Sequence, residues 1–135
     1  AKDELGDAGK HLTISLSRVC WLEKDEADKR AKLELANDYY ARFDNVFTGP
    51  GEIESGAIAR LHRTQTLEEL ETNLLICTRD EFIDQLAVYE EAGVDELILS
   101  QNIGTPNQET LENMQSIAEE VMPHFSKLGK IEAAE

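Results

Sequence analysis

Leu12-Thr13-Ile14-Ser15-Leu16-Ser17-Arg18-Val19-Cys20-Trp21-Leu22 changes its hydrophobic pattern part-way along. Leu12, Ile14 and Leu16 alternate with Thr13, Ser15 and Ser17, the period of two that a strand shows. From Val19 to Leu22 every residue is apolar. That run predicts burial on both faces toward the C-terminal end of the strand, as in a parallel sheet.

Downstream, residues 24–47 predict a long helix. Ala27, Ala31, Leu35, Tyr39 and Phe43 recur every fourth residue and, with Val46 and Phe47, suggest one apolar stripe. Asp25 and Glu26 suit the first turn, where the helix dipole favours negative charge. Thr48-Gly49-Pro50-Gly51 ends the helix. Residues 48–65 are the least regular stretch and carry the cluster Arg60-Leu61-His62-Arg63. Thr66 and Glu69 form a capping box for a short helix through about Leu74, and Leu74-Leu75-Ile76-Cys77 is a brief apolar run.

Thr78 and Glu81 form a second capping box. The helix it opens carries Phe82, Ile83, Leu86, Ala87 and Tyr89 on one side and ends at Gly93. Residues 94–100 predict a short strand, and Gln101 to Gly104 a loop. Thr105-Pro106-Asn107-Gln108 combine an N-cap, proline at the first helical position and glutamine at the third. The last helix shows Leu111, Met114, Ile117, Ala118, Val121, Met122 and Phe125 at helical spacing, with Pro123 near its end. Residues 1–10 read as the tail of a helix stopped at Gly9-Lys10, and residues 126–135 as a frayed polar tail.

Helices alternating with apolar strands predict an α/β fold with βα units on a parallel sheet. Two strands, 12–22 and 94–100, cannot cover the apolar faces of these helices. The chain also starts at Ala1 with no initiator methionine. The expectation is a section of a larger α/β protein, with a complete small domain as the alternative.

Composition narrows the function. The 135 residues make one domain at most. Thirteen basic against 28 acidic residues give a charge of −15, which repels nucleic acid and anionic membrane surfaces. Cys20 and Cys77 make no disulfide scaffold, and no Cys/His spacing suits zinc, so no metal is expected. No apolar run approaches the roughly 18 residues of a membrane span, and no signal peptide is visible. A cytoplasmic location follows as the simplest expectation. No Walker loop, GxGxxG, HExxH or GxSxG occurs.

Two stretches carry a family resemblance: Glu90-Glu91-Ala92-Gly93-Val94-Asp95-Glu96-Leu97-Ile98-Leu99 and Glu119-Glu120-Val121-Met122-Pro123-His124-Phe125. Together they resemble the C-terminal end of bacterial luciferase-like monooxygenases. Val19-Cys20-Trp21-Leu22 followed by Asp25-Glu26-Ala27 looks like that family's seventh strand and the helix after it. Cys77-Thr78-Arg79 departs from the Gly-Thr-Pro that many members show, while Thr78 keeps the N-cap. The resemblance implies the last two βα units of a TIM (β/α)8 barrel, with residues 48–77 an irregular, lid-like insertion. It implies an oxidoreductase that oxygenates a small organic substrate with O2 and reduced flavin from a separate flavin reductase. FMN is the implied cofactor and a deazaflavin the alternative; the assembly is a homo-oligomer. The non-catalytic reading is an α/β piece or dimerising domain that binds no flavin.

On a barrel, strand C-terminal ends and the loops after them carry the site. Trp21 is thus a candidate wall for a planar ring, or plain core. Gln101 and Asn102 can hydrogen-bond a substrate, or form an ordinary polar loop. Arg60, His62 and Arg63 can close over an anion as part of a lid, or lie solvated or salt-bridged. His124 suits a structural role at a helix end, and His11 is expected to be exposed. Cys20, among apolar neighbours, reads as an inert buried thiol. The acidic runs at 68–71 and 89–91 read as solvated helix faces. No catalytic residue is assigned.

Overall fold

The computed structural model describes residues 2–125; the polar tail 126–135 lies outside them. A 3-10 segment, Asp3–His11, is kinked at Gly6 and leads into β1, Ser15–Leu22. Helix α1 spans Glu26–Phe47, with Asp25 as N-cap accepting from the Asp28 N–H at 2.8 Å. β2, Ile53–Glu54, and β3, Ala57–Ile58, pair as a hairpin. Then come α2, Leu67–Glu71; β4, Leu75–Cys77; α3, Arg79–Glu91; β5, Glu96–Ser100; and α4, Asn107–Ser116. A π-helical turn, Ile117–Val121, joins α4 to α5, Met122–Phe125.

The main sheet is parallel, in the order β4-β1-β5. It therefore has three strands rather than the two expected, because the run at 75–77 is itself a strand. β1 is central. Its last residues are buried on both faces, as their continuous apolar character predicts. Val19, Trp21 and Ile76 pack with Leu33 and Ala36 of α1 and with Leu70 of α2. Cys20, Leu22 and Leu75 pack on the other face with Phe82 and Leu86 of α3, and with Ile117 and Val121. The result is helices, sheet, helices.

Consecutive units of a barrel place strands side by side in chain order. Here the chain steps from β1 to one edge, then crosses back past β1 to the other. Right-handed crossovers running in opposite directions put their helices on opposite faces, where α1 and α3 are found. The established architecture is a mixed α/β fold with a parallel sheet.

Several local expectations are corrected. The segment 48–65 contains the β2–β3 hairpin, closed by Ser55 and Gly56 at φ 51° and 80°, the two positive values of a type I′ turn. The predicted α1 stripe is not the packed face: Phe43 and Phe47 are exposed, and Leu33, Ala36, Ala41 and Asn45 are buried. On the last helix, Asn113, Ile117 and Val121 are buried, whereas Leu111, Met114 and Met122 are exposed. That helix is also broken by the π turn. Pro123 has no N–H and crowds the carbonyl one turn back, and the Met122 N–H reaches back to Ile117 O. Pro106, not Thr105, occupies the N-cap of α4; Thr105 instead meets the Thr110 hydroxyl at 2.7 Å. Both capping boxes form as read, and Gly93 ends α3 at φ 83°.

Candidate functional site

The C-terminal ends of the parallel strands converge beside the N-termini of α3 and α4. A cavity of about 180 Å³ opens there, lined by Trp21, Glu23, Arg79, Glu109, Asn113 and their neighbours. β5 pairs with β1 only as far as Val19, so the main chain of Leu22 has no strand beside it on that side. Asn113 takes the missing strand's place. Its Nδ2 donates to Leu22 O at 3.0 Å, and its Oδ1 accepts from the Leu22 N–H at 3.4 Å. One buried amide thus ties α4 to the end of β1.

Trp21 is 1% exposed and its Nε1 has no hydrogen-bond partner. Lys32 lies over its ring, Nζ 4.8 Å from the centroid. Lys32 is itself buried and forms ion pairs with Asp28, at 3.3 Å, and with Glu109. Burial pulls its pKa down, but the hydrogen bonds to Glu109 and Asp28 outweigh that and hold the ammonium above its ordinary value. The indole face is therefore occupied by a fixed cation. Glu23 lies with its carboxylate largely buried and Oε2 unbonded, 3.6 Å from Lys29 Nζ. Burial raises its pKa, Lys29 opposes that, and Glu81 adds to it. Lys29 is held above its ordinary value, first by its hydrogen bond to Glu71, at 2.6 Å.

The sequence candidates separate into different places. Trp21 lines this cavity from the core. Gln101 follows β5, nearly buried, with Oε1 unpaired, and Asn102 beside it is exposed; neither lines the cavity. Arg60 pairs with Asp38 at 2.7 Å and Arg63 with Asp44 at 2.8 Å, both on α1, while His62 is exposed. Arg63 lines a second cavity, of about 230 Å³, beside the N-terminal half of β1. The structure does not bring the cationic cluster to the strand C-termini. Cys20 and Cys77 are free thiols pushed up to about 12, each chiefly by burial, so the thiolate is scarce at neutral pH. Among the described residues, no group of His, Cys, Asp or Glu is arranged to hold a metal, and no helix is long and apolar enough to cross a membrane.

Sequence reasoning passes over Lys32, Glu109 and Asn113. The signal for Asn113 was present: it stands four residues before Ile117 and eight before Val121, a polar residue on the buried stripe.

No family model matches the sequence. A curated protein does. Over 121 residues the chain is 30% identical to the oxygenase component of a flavin-dependent trigonelline monooxygenase from Acinetobacter baylyi. The match covers 84% of this chain and 34% of that protein. The chain thus spans about a third of the length of the curated relative it matches.

Proposed function

We propose that this chain is a C-terminal section of the oxygenase component of a flavin-dependent monooxygenase of the luciferase-like type. It supplies βα units from the C-terminal end of a TIM barrel and acts within a homo-oligomer. The whole protein oxygenates a small organic substrate with O2, using reduced FMN, or a deazaflavin, delivered by a separate flavin reductase. The observation that carries this reading is the 30% identity over 121 residues to an oxygenase component.

The described residues do not by themselves fit a flavin. Their cavities, about 180 and 230 Å³, fall below the roughly 300–1,000 Å³ of small-molecule sites. The cavity at the strand C-termini sets Glu23, Glu109, Glu112 and Glu120 against only Lys24 and Arg79, a net negative lining that disfavours a phosphate. No chemical step is therefore assigned to residues of this chain. Trp21, Gln101 and Asn102 remain its pocket candidates, and Arg60, His62 and Arg63 its candidates for a lid over 48–77.

The test uses the full reading frame that contains this sequence, supplied with a flavin reductase, NADH and FMN. The expected result is O2 uptake that rises on adding trigonelline or a related small aromatic acid. If the full protein retains no flavin and consumes no O2 above the reductase alone, the proposal fails. The second reading, a non-catalytic α/β domain, is favoured by the β4-β1-β5 order and by helices on both sheet faces. A reading frame opening with methionine immediately before Ala1 supports it.

A further inference from the structure

We draw no further inference here: the strongest candidate, the acid-lined cavity of about 180 Å³ between the C-terminal end of β1, the start of α3 and α4, belongs to the site already described, and because the unbonded Trp21 Nε1 and Glu23 Oε2 beside it are themselves buried, nothing in the structure shows what would occupy it.

Discussion

Asn113 shows how a single side chain can close a sheet that runs out of strand. Its amide satisfies both main-chain groups of Leu22 in a buried setting. Asn113→Ala leaves that donor and acceptor unpaired, and an orphaned buried polar group costs about 1–3 kcal/mol. The expected loss is about 2–6 kcal/mol in urea unfolding for the two groups together; a loss under about 0.5 kcal/mol would show that water replaces the amide. Glu23 behaves oppositely. Burial raises its pKa in the folded chain above the unfolded value of about 4.3. Its favourable contribution is then complete below that unfolded value and disappears as pH rises through the folded pKa. At pH 7 the ionised group opposes folding. Glu23→Gln is therefore expected to raise the urea midpoint at pH 7 and to leave it unchanged near pH 3.5. Lys29 keeps its contact with Glu71 in this variant. A lower midpoint at pH 7 contradicts the assignment.

At the scale of elements, Asn45 holds the β2–β3 hairpin to α1. It is fully buried, donates to Glu52 O and Ala59 O at 2.8 Å, and accepts from the Glu52 N–H at 3.0 Å. The hairpin strands themselves are exposed. Asn45→Ala should therefore release the hairpin locally, with cleavage between residues 50 and 60 at least tenfold faster in limited proteolysis. Slower change there, with global unfolding instead, would make Asn45 a core residue of the whole fold. Features set by local chemistry are legible in the sequence: both capping boxes, the glycine end of α3, and the change of pattern within β1. The packed face of α1 is not. A spacing of four residues advances about 400° around a helix, so a stripe from Ala27 to Phe43 drifts by about 160° and cannot stay on one face. β4 is too short to show a period, and the hairpin is signalled only by Ser55-Gly56. The site is legible in part for the same reason. Trp21 can be placed at the end of a strand, but Lys32 over its ring and Glu109 beside it come together only through folding.

At the scale of the whole molecule, charge and apolar exposure oppose one another. Tyr39, Phe43, Val46 and Phe47 form an exposed ridge on the C-terminal half of α1, with the Phe43 and Phe47 rings 4.3 Å apart and Phe47 68% exposed. Ile98 on β5 and Leu111, Met114 and Met122 on the last helix are exposed as well. Contiguous apolar area beyond a few hundred Å² is unusual on a soluble monomer. The charge of −15 resists association, but through repulsion screened over about 8–10 Å. Burial at roughly 25 cal/mol per Å² outweighs this over an interface of about 1,000 Å², even after the cost of association removes much of the gain. The chain alone is therefore expected to self-associate at micromolar concentration in sedimentation velocity. Phe43→Glu combined with Phe47→Glu should shift it toward monomer, because the paired rings are the most exposed aromatic surface and the added charges face one another across any symmetric contact. If the unmodified chain sediments as a monodisperse, cooperatively unfolding monomer, the ridge does not drive association, and a self-contained small domain becomes the better account of this fold.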